Sequence, residues 1–232
     1  MRPMQVPNSS GSAAPKLKLP ADCCDCHMHI YDGGRFPPSR PGARMQPDAT
    51  VADYRLLQGR LGLSRTVVVT PAAYVTDNAV TLDAITQLGP QARGVAVVHP
   101  TVTDAELKQM ADSSIRGIRF TQFDPRTAAT TLDMIEPLAR RVEPLGWHVQ
   151  IHLRSDQIIA AADLLQRLPG TVVFDHLGRL SGGVSDPAFT VIRRMLDGGR
   201  TWIKLSGAYM FGAPPVYAEA LPIARAFIAA AP

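Results

Sequence analysis

Four of the six histidines in this 232-residue chain occur where predicted strands end. His27 and His29 are separated by one residue, and His152 and His176 each close a hydrophobic run. Because strand side chains alternate between two faces, His27 and His29 point to the same side of their strand. Neutral imidazole nitrogens that converge in this way bind zinc or a similar divalent ion. These four histidines are therefore the candidate catalytic and metal-binding residues.

The alternative is that these histidines do no chemistry. A His-x-His pair arises by chance on a surface, and a histidine at a strand end is often satisfied by a backbone carbonyl. Four histidines at the same ends of the predicted strands argue against that alternative. His99, at the end of another predicted strand, is a rim candidate with less support, and we expect His148 to be packed deep in the fold.

The elements that must position these residues alternate regularly along the chain. Seven hydrophobic runs, each followed by a helical pattern, predict seven strand–helix units and a parallel sheet with helices outside it. The predicted strands lie in 25–32, 66–70, 94–98, 117–121, 148–153, 171–175 and 202–205, and the predicted helices end near 62, 88, 111, 142, 168, 196 and 230. Functional side chains at several strand ends favour an α/β fold of the TIM-type (β/α)8 barrel class. The eighth strand is missing from this chain, so we expect the barrel to be incomplete at its C-terminal end.

Composition excludes several other classes of protein. The chain is 46% hydrophobic and 19% charged, which is typical of a globular domain, and its formal charge is +4. It has no basic run that would indicate nucleic-acid binding and no apolar run of membrane-spanning length. We expect a poorly ordered tail over 1–20, one barrel domain over 21–232, and a functional loop over 33–48. The neighbouring Cys23, Cys24 and Cys26 predict unpaired thiols and a cytoplasmic location.

Several segments, taken in order, resemble the amidohydrolase superfamily. They are His27-Met28-His29, the Gly117-Ile118-Arg119-Phe120 stretch, Asp175-His176-Leu177-Gly178-Arg179 and Trp202-Ile203-Lys204-Leu205-Ser206-Gly207. The nearest branch contains 2-pyrone-4,6-dicarboxylate lactonase, 4-sulfomuconolactone hydrolase and galactarolactone isomerase. The likeness runs from about Asp22 to Pro232, and the combination is specific although no single motif is.

The resemblance implies roles for individual residues. His27, His29 and His176 match family histidines, and His152 stands where metal-binding members keep a histidine that the lactonase lacks. One zinc or manganese ion on these four is therefore expected, and metal-free catalysis is the alternative. The family's catalytic aspartate follows strand eight and has no counterpart here.

Arg119 and Arg179 match arginines that hold substrate carboxylates, since a guanidinium fork pairs with a carboxylate through two bonds. Lys204 would either bind an acidic ligand or pair with a carboxylate inside the barrel. Tyr209 is a further rim candidate for substrate binding.

The resemblance also implies a reaction. We expect a hydrolase that opens a carboxylated lactone by attack of an activated water molecule, in the breakdown of aromatic or sugar acids. The alternatives are a lactone isomerase, a decarboxylase or an inactive fragment, since a fold does not fix a reaction. The expected partner is a small anionic substrate, with no nucleic acid and no membrane, and the chain could form a homo-oligomer.

Overall fold

The computed structural model describes residues 6–40, 45–124, 126–212 and 217–231. Its internal contacts divide the chain into two compact units, residues 1–97 with 103–116 and residues 98–102 with 117–232. The described residues contain seven strands, and helical segments follow each of them. The predicted α/β class is therefore confirmed. The prediction of one domain over 21–232 stays a prediction.

The first unit contains three parallel strands, with the second pairing with both of the others. The strands are β1 (Cys24–Met28), β2 (Arg65–Val69) and β3 (Ala92–Ala96), and the helices are α1 (Val51–Leu61), α2 (Ala79–Leu88) and α3 (Asp104–Asp112). Asp25 lies opposite Thr66 in the register of the first pair. Helix α1 begins with a capping box of Thr50 and Asp53, which satisfies backbone N–H groups that no helical carbonyl can reach.

The core of the first unit follows from the continuous β-branched run of β2. Val68, Val69 and Val95 have no exposed surface, and Ala84 of α2 is equally buried. A strand that is buried on both faces needs apolar side chains at successive positions, as the central strand of a parallel sheet does. This packing fixes β2, whose last carbonyl group contacts His29, the residue that follows β1.

The second unit contains four strands, each paired in parallel with the next in the sequence. They are β4 (Ile115–Thr121, whose first two residues belong to the first unit), β5 (His148–His152), β6 (Val172–Phe174) and β7 (Thr201–Ile203). The helices are α4 (Ile135–Val142), α5 (Ser155–Ala160), α6 (Ala162–Gln166), α7 (Pro187–Asp197) and α8 (Ala220–Ala230). The single helix predicted to end near 168 is thus two short helices, interrupted at Ala161.

Apolar residues on the outward faces of the second unit's strands form its core with the helices. Ile118, Ile151 and Phe174 are at most 1% exposed, as are Leu138 of α4 and Ile192 of α7. Burying one such side chain contributes about 1.5–3 kcal/mol relative to leaving it in water. The opposite face of the same strands is left to polar side chains, which form the candidate site.

The N-terminal segment and the cysteines complete the description. Residues 6–20 contain no helix or strand, although Val6 is buried and the Asn8 side chain donates to the Asp48 carbonyl oxygen. The disorder expected for residues 1–20 stays a prediction. All three cysteines are free thiols. No helix formed by the described residues is long and apolar enough to cross a membrane.

Candidate active site

Two strands of the second unit, β4 and β5, place polar side chains on one face. In the register of the parallel pairs, Arg119 of β4 lies opposite Gln150 of β5, and Thr121 lies opposite His152. Gln150 in turn lies opposite Val173 of β6. Because side chains alternate along a strand, Arg119, Gln150 and His152 all project from the face that the apolar core does not occupy. Each of these three side chains is at most 5% exposed.

Asp175, the residue after β6, organises the base of this cluster. Its side chain has no exposed surface, and its Oδ2 accepts hydrogen bonds from Arg119 Nε at 2.9 Å and Gln150 Nε2 at 3.0 Å. Lys204 Nζ lies 3.5 Å from Oδ1 and donates to Gln150 Oε1 at 2.7 Å. A buried carboxylate is stable only where donors compensate its negative charge, as the side chains of this network do. Asp175 therefore fixes the positions of Arg119 and Lys204.

His152 lies between two guanidinium groups. Arg119 Nη2 is 3.1 Å from its Nδ1, and Arg179 Nη1 is 3.3 Å from its Nε2. Burial lowers the pKa of His152 to about 2, and the charges of Arg119, His176 and Arg179 act in the same direction, while Asp175 opposes them. His152 is therefore a neutral imidazole at any physiological pH.

Arg179 stands at the open side of the cluster. Its Cζ lies 4.6 Å from the centre of the Phe123 ring, a cation–π stack, and its Nη1 lies 3.6 Å from Met210 Sδ. Burial lowers the pKa of Arg179 from its ordinary value, but an arginine remains charged at neutral pH. The stack holds the guanidinium group in place, and its contacts with the protein do not use all five of its N–H donors.

His176 and Arg179 are presented by an unusual backbone turn. Four successive residues have left-handed φ values, with His176 at 50°, Leu177 at 53°, Gly178 at 65° and Arg179 at 50°. Such conformations cost about 1–2 kcal/mol for each non-glycine residue. The turn is held by Leu177 N–H donating to the Lys204 carbonyl oxygen at 2.9 Å. Strain retained in this way is typical of functional sites.

His176 itself faces a hydroxyl group and the ring of His152. Its Nδ1 lies 3.0 Å from Ser206 Oγ, and its ring centre lies 5.2 Å from that of His152 in an edge-to-face arrangement. At Gly207 an added Cβ would lie 2.8 Å from His176 Cβ. Only glycine therefore permits this close approach of the chain after β7 to His176.

The first unit carries the other two predicted histidines. The rings of His27 and His29 are 5.0 Å apart and nearly perpendicular, at 88°. His29 Nδ1 lies 2.7 Å from the Val69 carbonyl oxygen, so Nδ1 carries a proton and donates. Asp25 Oδ1 accepts from the backbone N–H of His27 at 3.1 Å, and Tyr54 donates its hydroxyl proton to one of two acceptors, Asp25 Oδ2 or Thr66 Oγ1. These contacts order the start of β1.

A cavity of about 420 Å³ lies beside this strand within the first unit. His27 and His29 line it together with Tyr31 and with Tyr54 and Leu57 of α1. The cavity gives these two histidines room for a small molecule or ion.

The predicted site residues thus divide into a linked cluster and several separate groups. Arg119, His152, His176, Arg179 and Lys204 lie in one cluster in the second unit. His27 and His29 form a pair in the first unit. The two rim candidates are exposed, and Tyr209 lies near enough to Arg179 to act on its pKa electrostatically. Tyr209 is 68% exposed on the turn after β7, and His99 is exposed. His148 is half-buried on the face of β5 next to Gly117.

Sequence reasoning missed three residues of this cluster as site residues. Asp175 shares a strand face with Val173, so the alternation along β6 could have placed it among the inward side chains. Gln150 shares a face of β5 with His148 and His152, so the same alternation could have placed it there. Phe123 lies in the segment after β4, where no periodic pattern predicts which way a side chain points.

Comparison with known proteins shows the chain's relatives. Residues 24–232 match the model of the family described as Amidohydrolase. The chain is 36% identical over 196 residues to a 2-pyrone-4,6-dicarboxylate hydrolase of Comamonas testosteroni, a match that covers 83% of this chain and 64% of that protein. It therefore spans less than two thirds of that relative's length. It is 30% identical to a 4-sulfomuconolactone hydrolase of Rhizobium radiobacter, covering 99% of this chain and 78% of the relative.

A solved structure has the same fold. It is the crystal structure of a probable 2-pyrone-4,6-dicarboxylic acid hydrolase from Acinetobacter baumannii with citric acid bound. The two chains superpose with a TM-score of 0.75 at 29% identity, over 90% of this chain and 78% of the other. The likeness confirms the predicted fold class, a TIM-type α/β barrel protein.

Proposed function

This chain belongs to the amidohydrolase family, and from that premise we propose that it is a hydrolase that opens a carboxylated lactone with an activated water molecule. Two relatives named as hydrolases of such lactones support the proposal. A lactone is a cyclic ester, so its opening consumes one water molecule and yields a hydroxy acid.

One observation in the second unit carries the proposal. Arg119 and Lys204 lie against the carboxylate of Asp175, and Arg179 lies against His152, which is neutral. The cluster defined by these five residues therefore has a formal surplus of two positive charges. Unbalanced charge in a buried site costs free energy, which a bound dianion offsets. A dicarboxylate substrate supplies two negative charges.

The residues of this cluster would act by binding and orientation. Arg179 would pair with one substrate carboxylate through its guanidinium fork, held in place by Phe123. Lys204, anchored on Gln150, would supply a second positive charge. Electrostatic stabilisation of the oxyanion that forms at the lactone carbonyl requires fixed donors, and the network around Asp175 provides such rigidity.

A divalent ion would polarise the lactone carbonyl and lower the pKa of bound water. His29 fits the role of a ligand, because a metal-binding histidine normally donates its other N–H to a carbonyl or carboxylate, as Nδ1 does to Val69. His176 has the corresponding contact to Ser206. We therefore propose the pair His27 and His29 of the first unit as ligands, and His176 of the second unit as a candidate in its own right. His152 does not fit, because both of its nitrogens face guanidinium groups.

The decisive experiment offers the purified protein a panel of lactones with none, one or two carboxylates, including 2-pyrone-4,6-dicarboxylate, in water enriched in oxygen-18. We expect the dicarboxylate to be opened and the newly formed carboxylate of the product to carry one heavy oxygen atom, detected by mass spectrometry of its fragments. An isomerised product without heavy oxygen would support the alternative, a lactone isomerase. Release of carbon dioxide would support a decarboxylase, and no turnover would contradict the proposal.

The arginine that holds the substrate is tested by Arg179→Met. We expect KM for the dicarboxylate to rise about tenfold to a hundredfold, since losing a charged hydrogen bond costs about 1.5–3 kcal/mol. Arg167→Met is the matched control, because Arg167 is 56% exposed and pairs with Glu136 on the outside of the second unit. Unchanged kinetics for Arg179→Met would show that the substrate's carboxylates bind elsewhere.

A further inference from the structure

We propose that His152 is a hydrogen-bond donor to a substrate carboxylate beside Arg179, and that Arg119 is the positioning residue that fixes the required tautomer. This inference rests on the proposed function, because it assigns one substrate carboxylate to a defined pair of donors. It gives His152 a role different from the metal ligation expected from the sequence.

The first step is the hydrogen-bonding capacity of the three side chains. A guanidinium group only donates hydrogen bonds, whereas a neutral imidazole has one nitrogen that donates and one that accepts. Arg119 Nη2 approaches Nδ1 of His152 at 3.1 Å, and Arg179 Nη1 approaches Nε2 at 3.3 Å. His152 can accept from only one of the two arginines. At the other nitrogen, two N–H groups face each other.

The second step decides which nitrogen accepts. Arg119 is 5% exposed, and its Nε is tied to the fully buried Asp175 at 2.9 Å, so its guanidinium group cannot turn away. It also makes the shorter of the two contacts with His152. Nδ1 therefore accepts from Arg119, and the ring proton lies on Nε2. Arg179 is less buried, and the Phe123 stack leaves its guanidinium plane free to take a ligand.

The third step identifies the chemistry of the ligand. Nε2–H of His152 and Nη1–H of Arg179 are two donors only 3.3 Å apart, and neither can accept from the other. A carboxylate has two oxygens that accept hydrogen bonds in one plane, so it satisfies both donors at once. A metal cation at Nε2 would need the lone pair that this tautomer lacks and would lie beside the positive charge of Arg179. These two N–H donors therefore favour an anionic ligand over a cation.

The ring tautomer can be observed directly. We would label histidine with nitrogen-15 and record long-range proton–nitrogen spectra in the presence of a chelator. His152 is assigned by loss of its signal in His152→Gln, or by backbone assignment where that variant does not fold. We expect the Nε2–H tautomer. A majority of the Nδ1–H form, or a doubly protonated ring, would overturn the inference.

The carboxylate is tested with pyridine-2,4-dicarboxylate, an aromatic dicarboxylate that contains no ester, and with pyridine as the uncharged control. We expect the dicarboxylate, and not pyridine, to shift the Nε2–H signal of His152. By calorimetry, we expect His152→Phe to bind the dicarboxylate at least tenfold more weakly than the parent does. His152→Gln, whose amide can place a donor near the same point, should show less than half of that fold loss in affinity. An Nε2–H signal that stays in place at saturation would also overturn the inference.

Arg119→Lys separates positioning from binding. A lysine keeps the positive charge but not the donor at Nη2, so we expect both neutral tautomers of His152 to be populated and dicarboxylate binding to weaken with them. Unchanged tautomer populations would exclude the positioning role of Arg119.

Failure of this inference is distinguishable from failure of the proposed function. A dicarboxylate that shifts His152 in a protein that opens no lactone contradicts the hydrolase and supports the donor pair. Lactone opening by a protein whose His152 carries its proton on Nδ1 supports the hydrolase and contradicts the donor pair.

Discussion

At the scale of single residues, the surroundings of a histidine decide its chemistry. His29 donates from Nδ1 to a backbone carbonyl, whereas His152 lies between two guanidinium groups. The same side chain is thus suited to a cation in the first case and to an anion in the second. Residue type and spacing alone do not distinguish the two.

The neutral state of His152 predicts how stability depends on pH. Its pKa falls from an ordinary 6.5 to about 2 on folding. Between these values the unfolded chain binds a proton that the folded chain does not, so stability falls as the pH drops from 6.5 towards 2. The loss is about 1.4 kcal/mol per pH unit, or about 2 kcal/mol at pH 5.

Urea unfolding at pH 7 and pH 5 measures this effect. We expect His152→Gln to lose less stability than the parent over this interval, because glutamine does not titrate. His99→Gln, at an exposed histidine, should behave as the parent does. Equal losses for the parent and His152→Gln would show that burial of this ring does not set the pH dependence.

At the scale of elements, the short parallel strands place polar side chains on one face, and the turn after β6 brings further side chains to the same cluster. Strand register alone brings Arg119 opposite Gln150. His176 and Arg179 enter the cluster only because the backbone from 176 to 179 is left-handed throughout. The strained turn and the regular strands therefore contribute different halves of the same cluster.

Gly178→Ala tests the turn. An added Cβ at Gly178 would lie 2.5 Å from the Cδ1 atom of the buried Ile192, in addition to the strain of a φ of +65°. Gly183→Ala is the matched control, with a φ of +64° and open space around the Cβ. We expect the control to lose about 1–2 kcal/mol of stability and Gly178→Ala about 1–3 kcal/mol more, together with dicarboxylate affinity. Equal stability and affinity in the two variants would mean that the packing of this turn does not matter.

At the scale of the whole molecule, ligand binding and stability are linked. A ligand that binds only the folded chain stabilises it by about 2.7 kcal/mol at a concentration of one hundred times its Kd. In a chain of this size that corresponds to a rise in Tm of about 5–10 °C. Thermal unfolding therefore reports metal binding without any assay of activity.

We expect zinc or manganese to raise the Tm of the parent protein and of His99→Gln, and to raise that of His29→Gln much less. Elemental analysis of the purified protein should find up to about one ion per chain. A protein with no bound metal, whose Tm responds to neither ion, would contradict the metal prediction and favour catalysis by the histidines and arginines alone.

The sequence by itself determined the class of fold and most of the candidate residues. Hydrophobic runs alternating with helical patterns predict an α/β protein, because both periods follow from backbone geometry. The position of Arg119 on the inward face of β4 follows from the same local rules. These features depend on residues near one another in the chain, so a single sequence is sufficient to predict them.

Only the tertiary structure decided what the residues contact. His152 and Asp175 are 23 positions apart, and each meets Arg119, on a third element. The tautomer of His152 follows from that arrangement, as does the surplus of positive charge around it. Neither property belongs to a residue type or a spacing, because hydrogen-bond partners and burial arise only when distant strands pair and exclude water.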